Sequence, residues 1–513
     1  MLDWVLSIFT RSKKIANFLK PTLSIYILIF LTLSQSYSGT KSSLKRGNIT
    51  KLSFKSSNPT KKKTQKMKGK EERETESRIE IPLLEKLDDE EESGEKGASL
   101  ASAVFNISTT MIGAGIMSIP ATFKVLGVFP ALIVLVIVAI MGDITGEYML
   151  RYTHSGKSTT YAGLMGESFG RVGSLALQIC VMITSFGCLI IYLIIIGDVL
   201  SGTHSGSTIH TGLLQEWFGF YWWTSRAFAI LFVVILVILP LVLFRRVDSL
   251  RYTSLLAILL ALVFVVISSI LAIEAMLEGK TQNLKLVPDF SRQGSILSLF
   301  TTIPVFMTAF GYQLNVHPIR AELGEPSDMR VAIRISLVIC AFFYFCIGFF
   351  GYLLFGDSID ADMLVNFDQI GHGTMIGLVI NAIVRLSYAV HLMLVFPLIN
   401  FCLRANLDEL FFPDKPDLAK DTPRFICLTS IPLVLAYLVA IAIPSIWYCF
   451  QILGSTTVVF LILIFPSSII LRDIHGISTS WDKVVAVLLV LAALFTSTIA
   501  MWTNLSTTSG STA

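Results

Sequence analysis

Charge is what this sequence has least of. Asp, Glu, Lys and Arg make up 15% of its 513 residues, where a soluble globular chain carries about 25%. The shortage is uneven, because residues 1–96 are rich in charge and most of the remaining chain is apolar. A soluble core accounts for one long apolar run. It does not account for a series of them beyond Ala98, each reaching the ~20 residues that cross a hydrocarbon core. Cysteine is sparse and badly placed for cross-links. Cys180, Cys188, Cys340, Cys346, Cys402, Cys427 and Cys449 all fall in or beside apolar runs, so no disulfide framework is expected. There is no C-x-x-C pair. The thiols read as small apolar residues, with no metal site and no cofactor implied. The absence of H-E-x-x-H and of a Walker-type loop argues against a membrane enzyme and an ATP-driven pump. No nucleic-acid partner is expected.

What is present is a run of about eleven candidate spans. They cover 98–125, 129–150, 172–200, 226–244, 254–274, 296–318, 331–355, 374–403, 425–443, 446–471 and 484–502. Basic residues orient them, since cytosolic loops collect Lys and Arg. With the N-terminal region in the cytosol, the cytosolic connections carry Arg151, Lys157 and Arg171, then Arg245, Arg246 and Arg251, then Arg320 and Arg330. Further along they carry Arg404, Lys415, Lys420 and Arg424, and finally Arg472 and Lys483. The seventh-to-eighth loop, on the other side, holds Asp357, Asp360, Asp362 and Asp368 and no cation. Only the fifth-to-sixth loop, with Lys280, Lys285 and Arg292, runs against the pattern. One missed span would invert every later loop, so the agreement supports the count. The expected layout is a charged cytosolic region over 1–96, a membrane domain over 97–503 and a short lumenal or extracellular tail over 504–513.

The N-terminal region is segregated by charge, basic over 41–70 and acidic over 71–95. Such blocks are solvated rather than folded, and the basic one suits anionic membrane lipid. The apolar run 23–33 is too short to span and resembles a signal peptide. Cleavage there would send the basic block across the membrane, so an interfacial segment or an imperfect gene model is the preferred reading.

Two of the spans are interrupted. The first reads Asn106-Ile107-Ser108-Thr109-Thr110-Met111-Ile112-Gly113-Ala114-Gly115 and then Pro120. The sixth holds Phe310-Gly311-Tyr312 and continues to Asn315, His317 and Pro318. Gly and Pro weaken helices, and freed backbone groups survive at membrane depth only where they line a protein cavity. A kink for packing explains one such break. Two breaks five helices apart fit an inverted-repeat transporter, in which half-helix ends face the solute. Helix eight adds Arg385 near mid-span, with Asn381 one turn away on the same face and able to satisfy part of the guanidinium. A structural or gating role fits both. An unperturbed histidine titrates near neutrality, so His391 reads either as a proton relay or as a packing donor. Asp143 and Glu147 read as neutralising partners for Arg151 and its neighbours.

These stretches, with Val384-Arg385-Leu386 and Pro397, resemble the amino acid/auxin permease family over residues 97–502. The resemblance is to its vacuolar-type and sodium-coupled neutral amino acid transporter branch, plant-like members above all. It implies an all-α integral membrane protein with a LeuT-like 5+5 inverted repeat plus one extra helix, working as a secondary amino acid transporter. It places the amino acid at Ser108, Thr109, Met111, Ile112, Gly113, Ala114, Gly115, Phe310, Gly311 and Tyr312, the carboxylate on amides near Ile112 to Gly115. Asn106 matches an Asn used near the cation in sodium-coupled relatives. Their hydroxyl between the Arg and the Pro of helix eight is missing here, for Leu392 to Val395 supplies none and Ser387 lies too early. The coupling ion implied is therefore H+ rather than Na+, with Asn106, Ser387 and His391 as its candidate residues. A sensor signalling through the long tail and a sodium-coupled neutral amino acid symporter are the alternatives. Leu83-Leu84 after Glu80 looks like a sorting signal one residue short of the usual spacing, favouring an endomembrane such as the vacuole.

Overall fold

A computed structural model describes residues 98–510 apart from 206–207, 245–250, 280, 282–283, 289–298, 370–374, 414, 416–417 and 444–445. The charged region 1–96, with the Leu83-Leu84 pair and the run 23–33, lies outside the described residues. Among the described residues eight helices are long and apolar enough to cross a membrane, and a bent pair makes a ninth. The pair is α1 (Leu100–Met111) and α2 (Gly115–Leu126), bent by 54°. Then come α3 (Val128–Ser155) and α4 (Tyr161–Ser201). A small hairpin, β1 (Thr203–Ser205) with β2 (Thr208–His210), departs from the all-α expectation. It is followed by the short α5 (Leu213–Phe218), by α6 (Arg226–Val233, prolonged by π-turns) and by α7 (Arg251–Leu277). A second interruption separates α8 (Ile303–Ala309) from α9 (Gln313–Glu322). The remainder is α10 (Met329–Phe355), the one-turn α11 (Met363–Asn366), α12 (Met375–Phe411), α13 (Thr422–Ala442), α14 (Ile446–Leu453), α15 (Phe465–Arg472) and α16 (Ser480–Gly510). Helices α14 and α15 form one span through two π-helical segments.

Local sequence explains these boundaries. Ser99 caps α1 by accepting the Ser102 amide. The break follows at the glycines, not at Pro120, which α2 carries in its interior. Helix α4 starts at Tyr161 rather than near 172, because Glu167 and Arg171 read as loop residues; it bends at Gly170, whose φ is 67°. The letters G-x-S-x-G occur within α4 as Gly166-Glu167-Ser168-Phe169-Gly170. A nucleophile elbow needs a strand-to-helix turn, whereas Ser168 is helical, buried and without a partner for its hydroxyl.

Helix α12 packs along α4 and α7, and α10 lies against α1, α2, α3 and α7. The α14–α15 span is central, with 89% of its apolar window buried, while α13 and the α16 span are peripheral at 28% each. Exposed apolar residues follow helical stripes, as Phe129, Ile133, Ile137 and Ile140 do on α3, which is the surface hydrocarbon requires.

Each end of the bundle has its own polar knot. At one end, Ala98 donates to the Glu322 carbonyl (2.7 Å) and accepts from Gly324 (3.1 Å), joining the start of α1 to the end of α9. Arg151 pairs with Glu147 (2.9 Å) and Asp482 (2.8 Å), and Asp143 takes Arg334 (3.1 Å). Asp473 accepts from the Tyr152 hydroxyl (2.5 Å) and pairs with Lys483 (2.9 Å). Burial works against the Asp473 carboxylate, but Tyr152, Lys483 and the Ser478 amide outweigh it and pull its pKa down to about 2. An unfolded Asp titrates near 3.9. The folded value is the lower one, so the knot's contribution is complete above about pH 4 and lost as pH falls toward 2. Unfolding midpoints followed in detergent between pH 6 and 3 should drop at the acid end, and Asp473→Asn should flatten that drop.

The opposite end is closed by the hairpin, α5 and the segment around α11. Buried His210 lies between Asp368 (2.9 Å) and Asp360 (3.4 Å), and Arg226 pairs with Asp198. Asp362 caps α11, accepting from Leu364, and burial followed by the Asp198 charge pushes its pKa up to about 8. Arg385 belongs to this end rather than to mid-span. Its guanidinium donates to Glu216 (2.6 Å) and to the carbonyls of Thr211 (2.5 Å) and Val199 (3.4 Å). It does not turn to Asn381, whose side-chain oxygen is buried without a partner.

Candidate substrate site between two broken helices

The α1/α2 break frees backbone groups in the middle of the bundle, and side chains answer the carbonyls of Met111, Ile112 and Gly113. Tyr344 of α10 directs its hydroxyl at both Met111 O (2.5 Å) and Ala309 O (2.7 Å), so one proton serves both breaks. His391 of α12 meets Ile112 O at 2.6 Å, and Tyr388 donates to Gly113 O at 2.7 Å. The Tyr192 hydroxyl of α4 stands against the same break, beside the Ala114 amide. That hydroxyl crowds Gly113, where an added Cβ would collide with it. The two breaks touch each other as well. A Cβ on Gly115 would lie 2.8 Å from the Ala309 Cα.

Between the breaks is a cavity of about 40 Å³. Its walls include Gly113 and Gly115 from one break, Thr308 and Gly311 from the other, Tyr192 from α4 and Phe450 from α14. A single water needs about 10–15 Å³ of such space, so in this conformation the cavity takes about three waters and no amino acid. Its lining combines the polar Thr110, Thr184, Tyr192, Thr308 and Gln313 with apolar Ile191, Leu461 and Ile462.

A family model described as transmembrane amino acid transporter protein matches residues 96–508. The chain belongs to the transmembrane amino acid transporter family. It is therefore a multi-pass membrane carrier of amino acids and not an enzyme. The Arabidopsis thaliana amino acid transporter AVT6C is 55% identical over 80% of this chain and 94% of its own length. Sodium-coupled neutral amino acid transporter 7 of Danio rerio is 27% identical over 76% of this chain and 83% of its own. Among solved structures, MhsT in complex with L-phenylalanine superposes with a TM-score of 0.52 at 14% identity, covering 80% of this chain and 99% of that one. At that identity the likeness speaks for the helical arrangement alone, which is that of LeuT-fold transporters.

Of the residues expected to hold the amino acid, Met111, Gly113, Ala114, Gly115 and Gly311 of the transporter line the cavity. The others sit behind it. Ser108 is buried with no partner for its hydroxyl, and Thr109 donates to Ser254 O of α7 (3.2 Å). Ile112 contributes its carbonyl to His391 rather than a wall. Phe310 stands edge-on to Tyr344, and Tyr312 donates to Gly142 O of α3 (2.8 Å). Of the ion-coupling candidates, Ser387 is turned back onto Val384 O (2.9 Å) and the Asn106 side-chain oxygen is buried without a partner. Sequence reasoning missed Tyr192, Tyr344 and Tyr388. The only signal for them was a lone hydroxyl inside an apolar run, as in Ile190-Ile191-Tyr192-Leu193.

Removing the Tyr344 hydroxyl tests the shared clamp. Tyr344→Phe leaves two buried carbonyls short of a donor, a loss of about 1–3 kcal/mol. Uptake should fall about tenfold, and the thermal midpoint of the purified protein should fall with it.

Proposed function

We propose that this transporter binds its amino acid between the two breaks and moves it in symport with a proton. The observation that carries this is the cavity bounded by both interruptions, Gly113 to Gly115 on one side and Thr308 to Gly311 on the other. The carboxylate would displace the Tyr192 hydroxyl from the freed amides, as half-helix N-termini attract anions. The ammonium would take the remaining lone pairs of the exposed carbonyls. What supports a proton over sodium is α12, where Leu392 to Val395 supplies no hydroxyl at the place sodium-coupled relatives use one.

The complete architecture has about eleven spans, two five-helix repeats plus one, with the region 1–96 and most cationic loops in the cytosol and an endomembrane such as the vacuole as the site of action. In that orientation the hairpin end faces the lumen. Uptake of a labelled amino acid panel into proteoliposomes, with and without sodium and with and without a pH gradient, is the decisive experiment. Accumulation that follows the pH gradient and ignores sodium upholds the proposal. Accumulation that requires sodium at every pH refutes the coupling, and no amino acid movement under any gradient refutes the site.

A further inference from the structure

His391 is fully buried, and both of its ring nitrogens face carbonyl oxygens. Nε2 is 2.6 Å from Ile112 O in the α1/α2 break, and Nδ1 is 2.7 Å from Ala257 O on α7. A backbone carbonyl only accepts. A neutral imidazole has one N–H and one lone pair, so either tautomer would aim a lone pair at a carbonyl lone pair within hydrogen-bond distance. Only the imidazolium donates to both.

We propose that the coupling proton resides on His391, and that the protonated ring holds the α1/α2 break against α7. This rests on the proton-symport reading above. The surroundings leave the ring to do this alone. On its own helix, the Tyr388 ring lies 4.6 Å away with its hydroxyl committed to Gly113 O, and Arg385 is engaged with Glu216. From α10 come Tyr344, committed to both breaks, and Cys340, directed at Ser108 O. Tyr192 of α4 turns its hydroxyl to Gly113 and Ala114, and Asp362 of the α11 segment lies toward Tyr388. Helices α1 and α7 present Thr109 and Ser254, bonded to each other. Among the described residues no carboxylate or basic side chain makes a hydrogen bond or ion pair with the ring, so carbonyl dipoles are what hold its charge.

The consequence is a link between proton and gate. If the break opens, the Ile112 carbonyl withdraws and Nε2–H faces apolar surroundings. A buried charged donor without a partner is costly. The Nε2–H bond then breaks, its electron pair stays on nitrogen, and the proton passes to water entering the opened break. Rebinding of a proton favours closure. The same movement opens the amides that take the amino acid, so the two ligands report to one hinge.

The test uses full-length protein in proteoliposomes with a pH dye entrapped and His391→Gln as the variant. Glutamine keeps one donor and binds no proton. Amino acid exchange at equal pH should remain measurable, while accumulation driven by a pH gradient falls at least about tenfold, a coupling loss near 1.4 kcal/mol, and proton movement per amino acid vanishes. Gradient-driven accumulation with unchanged proton movement in the variant overturns the proposal. Should the variant lose exchange as well, nitrogen NMR of ring-labelled wild-type protein decides. Two protonated ring nitrogens at neutral pH, missing from the variant's spectrum, uphold it, and one protonated nitrogen overturns it. Wild-type protein that exchanges amino acid yet ignores the gradient refutes proton symport, and His391 as its carrier falls with it.

Discussion

Gly115→Leu should abolish amino acid transport. The reason is geometric. The first added carbon would already stand 2.8 Å from the Ala309 Cα and 3.2 Å from its amide nitrogen. Both obstacles are backbone and neither can rotate away, so the leucine forces the two breaks apart. Overpacking of this kind typically costs about 1–3 kcal/mol, but the functional loss exceeds the stability loss, because the cavity wall itself moves. Initial uptake rates with purified variant in proteoliposomes measure it, alongside a thermal midpoint to show that the protein still folds. Unchanged kinetics would remove the amino acid from this break. Gly113 offers a gentler comparison. Its obstacle is the Tyr192 hydroxyl, the end of a side chain, so Gly113→Ala should be partly rescued by Tyr192→Phe.

The second large effect is expected at Arg385. Its side chain is 2% exposed and its partner Glu216 21% exposed. Arg385→Ala strands that carboxylate and leaves the Thr211 and Val199 carbonyls without their donor. Removing one member of a buried pair costs about 3–5 kcal/mol, and the partial exposure of Glu216 puts the expectation at the lower end. The unfolding midpoint should fall by several degrees, and α5 should become accessible to protease. Arg385→Lys keeps the charge but not the fork that reaches three acceptors, so it should recover only part of the loss. By contrast, Lys285 and Asp357, 2.7 Å apart but 44% and 58% exposed, should contribute less than about 1 kcal/mol, since solvent screens such pairs.

Eight long apolar helices and a ninth, bent pair were legible because hydropathy is a local property, and so was the α1/α2 break, because Gly113 and Gly115 announce it within three residues. The answers to the break were not. Tyr344 is 233 residues from Met111 and His391 is 279 from Ile112, and nothing in a tyrosine's neighbours says which carbonyl it will meet. Arg385 misled for the same reason. Asn381 was near in sequence, while the partner that holds the guanidinium is Glu216, 169 residues away. Helix α4 shows the reverse error, where charges that face polar surroundings made a helix look like a loop. His391 was legible as a titratable residue. That it faces two acceptors at once is visible only when α1, α7 and α12 are assembled.

The smallness of the cavity has a consequence for the membrane itself. About 40 Å³ holds about three waters, and a hydrogen-bonded file needs several times that number to connect one surface of a bilayer to the other. The water that fits between the two breaks therefore makes no proton wire by itself, and a proton that crosses here has to be handed on when the breaks move.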